Sequence, residues 1–203
     1  MAELPLQVRD HDQTEMSAAV GVLARGMRDN PGHIAAFGPD PDRRRSALAA
    51  MFSALLGAVP TLERICAEQE GDIVGFAAIA PPGTCRVSLV QKMKIASSIA
   101  KVMPGALPRV LSWQGIWARH DPDEPHSHFG PIAVDAGRQG HGIGSRLMTE
   151  YTDRLDAAGH LAYLETDKPE NVTFYQRFGF EITGEAAVLG NPNWFMSRKP
   201  ATR

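Results

Sequence analysis

The sequence predicts an α/β fold of the mixed α+β kind, in which helices flank a central mixed β-sheet. Segments with strand-like and helix-like hydrophobic periods alternate along the chain, which is typical of this class. Apolar residues make up 43% of the chain and charged residues 22%, so a sizeable core can form within 203 residues. We therefore expect a single domain over residues 1–203.

Charge and cysteine content narrow the class of partner. The 21 basic and 23 acidic side chains give a formal net charge of -2, so no overall field favours nucleic acid or an anionic membrane. No apolar run approaches the roughly 20 residues of a membrane span, and the N-terminus lacks the plan of a signal peptide. Cys66 and Cys85 form no metal-binding or disulfide-rich pattern. We expect a cytoplasmic monomer or homodimer with a small-molecule partner, and no nucleic-acid or membrane partner.

Hydrophobic period and turn residues place the elements in chain order. Proline and glycine at 30–32 and 81–83 indicate breaks, and Glu70-Gly71-Asp72 indicates a hairpin turn. The arginines at 43–45 are expected on a solvated face, with an anionic contact as the alternative. The predicted elements are a strand over 4–8, a helix capped by Thr14 and ending near 27, a helix over 41–56, strands over 64–69 and 73–80, two helices within 86–118, a strand over 126–134, a helix over 142–158, a strand over 161–166, a helix over 171–178, and strands over 180–183 and 194–198.

The helix expected over 142–158 has a clear amphipathic pattern. Its apolar residues recur every four positions, which produces one stripe for packing on a sheet. The stripe consists of Ile143, Leu147, Tyr151 and Leu155.

A glycine-rich turn joins the strand over 126–134 to this helix. Glycines at 140, 142 and 144 allow a tight turn. Amide groups converge at a helix N-terminus, where the helix dipole also favours an anion. The turn therefore predicts a diphosphate site, although glycines that only shape the turn are the alternative. The turn contains no P-loop lysine, and its GxGxG spacing differs from the dinucleotide fingerprint, so neither ATP nor NAD is implied.

Two blocks of the second half resemble the GNAT superfamily of acyltransferases. The segment Gln139-Gly140-His141-Gly142-Ile143-Gly144 resembles the Q/R-x-x-G-x-G/A signature of that family. Residues 164–180, which include Asn171 and Tyr175, resemble its second conserved block. Together the blocks lie within 126–180, about a quarter of the chain. Two segments, Trp194–Pro200 and Leu164-Glu165-Thr166, resemble in particular the puromycin N-acetyltransferase-like bacterial members.

The resemblance implies an N-acetyltransferase that transfers an acetyl group from acetyl-CoA to the amine of a small molecule by direct attack in a ternary complex. It implies one acyl-CoA N-acyltransferase domain, with 126–180 as the cofactor-binding and catalytic core. The sheet is then expected to be splayed between its two middle strands. A CoA-binding sensor without turnover and a peptide or protein N-acetyltransferase are the alternatives.

The resemblance also implies which residues bind the cofactor. Backbone groups of Ile132 and Val134 would hold the pantetheine arm, and Asn171 would bond the pantetheine or phosphate region. Amides of the turn would hold the pyrophosphate. These turn residues are Gln139, Gly140, His141, Gly142, Gly144 and Ser145.

Attack of an amine on a thioester needs a base and an acid. Tyr175 is the expected acid because the resemblance places it at the family's tyrosine position and a phenol of pKa about 10 stays protonated at neutral pH; a core aromatic is the alternative. His128 is the first candidate base because its ordinary pKa is about 6.5, and a hydrogen-bonded structural histidine is the alternative. Glu165 is the second, because burial would raise the pKa of its carboxyl group.

We expect no metal. His120, His126 and His128 could form a zinc cluster, but no carboxylate or cysteine completes a recognised spacing. The helices of 14–56 and 86–118 are expected to wall the acceptor pocket. Its candidate aromatic lining, with an ordinary core role as the alternative, is Phe37, Phe52, Trp113 and Trp117.

Overall fold

The computed structural model describes residues 5–201, which contain seven strands of one sheet and seven α-helices. The strands are β1 Gln7–Asp10, β2 Glu63–Gln69, β3 Asp72–Ala80, β4 Ser127–Val134, β5 Ala162–Thr166, β6 Glu181–Val188 and β7 Asn191–Arg198. The helices are α1 Met16–Gly26, α2 Pro31–Phe37, α3 Pro41–Ala58, α4 Leu89–Val102, α5 Leu107–Trp117, α6 Ile143–Ala158 and α7 Pro169–Gln176. Among these described helices, none is both long and apolar enough to cross a membrane.

The sheet is mixed and open, with the strand order β1-β2-β3-β4-β5-β7-β6. Only β4 and β5 are parallel neighbours, and they pair through just two positions, Ser127 with Ala162 and His128 with Tyr163. A bulge between Ala77 and Ile79 of β3 interrupts the pairing with β4, and bulges bend strands. Beyond His128 the two middle strands are not paired, which leaves a split. The predicted mixed sheet, splayed between its middle strands and flanked by helices, is confirmed.

The core has two parts, one on each face of the sheet, because side chains alternate along each strand. Phe76 of β3 packs with α1 and α3, and its neighbour Ala77 packs with α6. The predicted stripe of α6 is confirmed, since its four residues are at most 3% exposed. A Cβ added at Gly75 would lie 2.9 Å from Ile143 Cγ2, so this glycine lets α6 approach the sheet closely.

The start of the chain differs in detail from the prediction. The first strand is Gln7–Asp10, and Leu4 lies outside the described residues. Thr14 does not cap the first helix. Instead, the Asp12 carboxylate accepts the Thr14 backbone N–H at 2.7 Å and begins a short 3₁₀ turn, and α1 starts at Met16.

The proline-containing break at 30–32 is also the start of a helix. Pro31 opens α2, because a residue without an N–H suits the first helical turn.

One arginine of the 43–45 run is buried. Arg44 is 3% exposed and donates to the carbonyl groups of Arg28 and Gly38 and to the Asp29 carboxylate. Its contact is therefore structural, while its two neighbours are exposed as predicted.

The last two strands are longer than predicted. They form a hairpin whose turn, Leu189-Gly190, has positive φ angles of 51° and 83°. Two successive residues of this kind are typical of tight hairpin turns. The other predicted strands and helices are present, with ends that differ by a few residues.

Candidate active site

The inner edge of β4 presents backbone groups to the split. Asp135 donates its backbone N–H to the Val74 carbonyl at 2.9 Å, which marks a hydrogen-bonded pair of the β3–β4 ladder. Bonded and non-bonded pairs alternate along an antiparallel ladder. Counted back along β4 from Asp135, Val134 is the first residue and Ile132 is the third, so both belong to non-hydrogen-bonded pairs. Their N–H and C=O groups therefore point away from β3. These groups face the split.

Gln139 ties the end of this strand to α1. Its side-chain Nε2 donates to the Val134 carbonyl at 3.2 Å and to the Gly26 carbonyl at 3.3 Å. A Cβ at Gly26 would collide with the Val134 carbonyl oxygen. The Gln139 side chain is therefore a structural link, and the Val134 carbonyl is already bonded.

The glycine-rich turn offers unpaired amides where β4 leaves the sheet. Gly140 and Gly142 have φ angles of 82° and 79°, and Gly142 is the residue before α6 begins. Within residues 5–201, the backbone N–H groups of 140–145 donate no hydrogen bond to another residue, and Arg146 makes the first helical bond, to Gly142. The exposed His141 ring is within 2.9 Å of the Gln139 carbonyl through Nδ1. The turn thus has the geometry of an anion site.

Helix α7 forms the other wall of the split. Phe174 lies against the start of α6, with its Cζ 3.6 Å from the position of a Cβ at Gly144. Asn171 donates from Nδ2 to Thr166 Oγ1 at 3.1 Å. Tyr175 is 6% exposed and contacts the ring of Phe180. Burial raises the pKa of the Tyr175 phenol, and the charge of a nearby carboxylate adds to this, so the phenol keeps its proton at neutral pH.

His128 and Glu165 meet at the closed end of the split. The register of β4 with β5 places Glu165 two residues beyond the partner of His128, and His128 Nε2 lies 2.9 Å from Glu165 Oε2. Burial alone would lower the pKa of His128. The charge of Glu165, with hydrogen bonds to Asp121 and Cys85, outweighs it, and the pKa is well above its usual range. The two predicted bases therefore form one hydrogen-bonded pair.

Two residues that the sequence did not associate with the site lie beside this pair. The Asp121 carboxylate is 3.2 Å from His126 Nε2, 3.7 Å from His128 Nδ1 and 3.7 Å from Cys85 Sγ. We call Cys85, Asp121, His126 and His128 the four-residue cluster. Alternation along a strand places residues i and i+2 on one side, which is the signal that relates the two histidines. Cys85 and Asp121 come from loops, and no spacing relates them to the histidines.

The remaining predicted residues lie elsewhere. His120 is not in the cluster, since its ring stacks on Phe195 at 4.0 Å. Trp117 donates from Nε1 to the Asn193 side chain at 3.0 Å. The other three aromatic residues proposed for the acceptor pocket belong to the core between the helices and the sheet. They are Phe37, Phe52 and Trp113, each at most 7% exposed.

Comparisons with known proteins agree with this arrangement. The chain matches the acetyltransferase (GNAT) family over residues 33–180. A structure described as histone acetyltransferase HPA2 and related acetyltransferase, from Corynebacterium glutamicum, is 22% identical, with a TM-score of 0.73 over 100% of this chain and 99% of that one. The polyamine N-acetyltransferase of Drosophila melanogaster, which forms N-acetylagmatine, is 16% identical, with a TM-score of 0.64 over 96% and 100%.

A third structure bears on the cofactor. A GNAT family acetyltransferase of Brucella melitensis in complex with acetyl-CoA is 18% identical, with a TM-score of 0.55 over 98% of this chain and 90% of that one. At such identities the three structures establish the fold alone. The family match covers more than half of the sequence, and the fold agrees with it. The chain therefore belongs to the acetyltransferase (GNAT) family and is an acyl-CoA-dependent N-acyltransferase.

Proposed function

We propose that this enzyme transfers an acetyl group from acetyl-CoA to the amine of a small molecule, by direct attack in a ternary complex. The observation that carries the proposal is the set of unpaired amides at 140–145, located where β4 leaves the open end of the split. Such amides, together with the helix dipole, suit a diphosphate. The pantetheine arm would then run along Ile132 and Val134 toward the His128–Glu165 pair.

Each predicted cofactor residue has a part in this proposal. The N–H groups of Val134 and Ile132 would bond the pantetheine amides, and a strand amide near Val134 would stabilise the oxyanion. Asn171 would bond the arm from the opposite wall. The pyrophosphate would contact the turn through the backbone of Gln139, Gly140, His141, Gly142, Gly144 and Ser145.

Proton transfer would use both walls of the split. The Glu165 carboxylate of the His128–Glu165 pair would accept the proton that the attacking amine loses as the C–N bond forms, because the raised pKa of His128 keeps the imidazole protonated. Tyr175 would donate its proton to the CoA thiolate as the C–S bond breaks, and it would regain a proton from solvent. The buried phenol keeps its proton at neutral pH, which supports this role.

The charge beside the split supports a cationic acceptor. The side chain of Glu165 is only 4% exposed, and Asp167 at the end of β5 is 9% exposed. Poorly solvated carboxylates favour a nearby ammonium group. The Drosophila protein is described as a polyamine N-acetyltransferase that forms N-acetylagmatine, and polyamines carry ammonium groups at neutral pH. A puromycin-like acceptor is the second candidate within small molecules, and it depends on the similarity of Trp194–Pro200 and of Leu164-Glu165-Thr166.

The test is release of CoA thiol from acetyl-CoA in the presence of separate amines: agmatine, spermidine, puromycin and a short peptide with a free N-terminus. We expect release with at least one small amine and none with the peptide. Release with the peptide alone would favour a protein N-acetyltransferase. Calorimetric binding of CoA without release for any acceptor would favour a sensor, and either result would overturn the proposal.

The proton-accepting pair can be tested by a matched substitution. Glu165→Gln keeps the shape of the side chain and removes its basicity, so we expect kcat to fall by about 100-fold. Glu181→Gln changes an exposed glutamate of β6 and should leave kcat within about twofold. Equal activity of the two variants would exclude Glu165 from proton transfer.

A further inference from the structure

The four-residue cluster has the donor atoms and spacing of a tetrahedral metal site. Its sulfur, oxygen and nitrogen donors all lie within 4.8 Å of one another. Zinc bonds of about 2.0–2.3 Å in a tetrahedron separate donors by about 3.3–3.8 Å. Asp121 already lies within 3.2–3.7 Å of the other three residues, so small side-chain rotations would complete the tetrahedron.

One buried nitrogen of the cluster has no hydrogen-bond partner. His126 is 2% exposed, and its Nε2 makes no hydrogen bond within the described chain, although the Asp121 carboxylate is 3.2 Å away. The other ring nitrogen, Nδ1, lies 2.9 Å from the Glu124 carbonyl and donates its N–H to that oxygen. This leaves Nε2 as the nitrogen of His126 that can bind a cation located between the ring and the Asp121 carboxylate.

Both histidines are oriented as metal ligands are. Ligating histidines donate their second ring nitrogen to a carbonyl or carboxylate, which fixes the tautomer and the ring plane. The Glu124 carbonyl does this for His126, and Glu165 does it for His128 through Nε2. The edge of Tyr163 packs against both rings at 5.2–5.3 Å and restricts their rotation.

We propose that Cys85, Asp121, His126 and His128 bind one Zn²⁺ ion, at a site that shares His128 with the proposed proton-accepting pair. Thiolate and imidazole donors favour zinc over magnesium or calcium. Two anionic and two neutral ligands would neutralise the ion, and four protein ligands are typical of a structural site. The ion would join the loop after β3 and the loop after α5 to the start of β4. Coordination through His128 Nδ1 leaves the Nε2 contact with Glu165 intact.

The test uses the full chain, treated with a chelator and then titrated with Zn²⁺ in competition with a chromophoric chelator. We expect one equivalent to bind. Co²⁺ in its place should give the strong visible bands of tetrahedral cobalt and a near-ultraviolet thiolate-to-cobalt band. Failure to bind zinc, or a weak octahedral cobalt spectrum, would overturn the proposal. Neither measurement depends on acetyl transfer, so a negative result leaves the proposed function unaffected.

Matched variants locate the site. Cys85→Ser should abolish the thiolate band and weaken zinc binding by at least about tenfold. Asp123→Asn changes an exposed carboxylate of the same loop as Asp121 and should preserve both properties. A thiolate band that persists in Cys85→Ser would refute the assignment. If that variant does not fold, the rate of Cys85 alkylation in the wild-type chain tests the site instead. Zinc should slow this alkylation, and an unchanged rate would refute the site.

Discussion

Hydroxyl groups of buried tyrosines serve different purposes in this enzyme. Tyr151 of α6 donates to the Ser127 side chain at 3.1 Å and joins that helix to β4. Tyr175 of α7 lies on the wall of the split, and we propose it as the general acid. The two residues are similarly buried, at 1% and 6% exposure, so they form a natural comparison.

Replacing Tyr175 by Phe should reduce kcat by about 100-fold with little change in the KM for acetyl-CoA, because only the proton donor is removed. Steady-state thiol release measures both quantities. Tyr151→Phe is the control. It should lose about 1 kcal/mol of unfolding free energy and keep its kcat. Unchanged kcat in Tyr175→Phe would show that its ring is only a core aromatic.

Candidate catalytic residues could be named from the sequence, but their contacts could not be predicted. Tyr175, His128 and Glu165 were predicted as candidates, with the last two as alternatives. The contact between His128 and Glu165, which are 37 residues apart in the sequence, depends on the register of β4 with β5. Cys85 and Asp121 lie in loops. The path of a loop cannot be predicted from hydrophobic periodicity, so their contact with the histidines could not be predicted.

Helix α6 begins and ends with a glycine of the same conformation. Gly142 precedes it with a φ of 79°, and Gly159 follows it with a φ of 67°. A Cβ at either position would meet nothing within 4 Å. An alanine there would therefore cost only the free energy of placing a non-glycine residue at a positive φ. That penalty is about 1–2 kcal/mol.

Gly142→Ala should therefore weaken CoA binding by up to about tenfold, because strain moves the amides of the turn. Gly159→Ala has a similar backbone penalty at the far end of the helix and should bind CoA normally. Isothermal calorimetry measures both affinities. Equal affinities would show that the turn does not bind the coenzyme.

Helix α1 provides a second matched pair of glycines. Gly26→Ala should lower the unfolding free energy by about 1–3 kcal/mol, because its Cβ would meet the Val134 carbonyl oxygen. Gly21→Ala would meet only the end of the Arg25 side chain, whose exposed ion pair with Asp135 can shift, and it should gain about 0.5–1 kcal/mol of helix propensity. Urea denaturation measures both, and a stable Gly26→Ala variant would contradict the close packing of α1 on β4.

At the level of elements, periodicity predicted the long amphipathic segments well. The apolar stripe of α6 and the division of 86–118 into α4 and α5 are confirmed. The seven-residue α2 was missed, because its opening Pro31 and Gly32 indicate a break as readily as a helix start. The first helix starts at Met16 because Asp12, two residues before Thr14, is the better acceptor.

Coenzyme binding should stabilise the whole molecule by mass action. CoA at 100 times its Kd would contribute about 2.7 kcal/mol, which raises Tm by about 5–10 °C for a chain of this size. Differential scanning calorimetry measures the shift. Pantetheine, which lacks the diphosphate, should give little shift at the same concentration. An equal shift with pantetheine would contradict the diphosphate site.

The fold class could be predicted from the alternation of strands and helices, and the splay from the family resemblance. The extent of the split could not. It depends on how few positions of β4 and β5 pair, and these strands are far apart in the sequence. Local patterns contain no information about these distant contacts.

The inner edge of β4 is an open strand edge in the middle of a sheet. Uncovered edges can recruit strands from other molecules, and proteins usually protect them. In the proposed complex, the pantetheine arm of acetyl-CoA would cover this edge and protect it. Storage without coenzyme should therefore favour aggregation, visible as increased light scattering, and coenzyme added during purification should keep the chains dispersed.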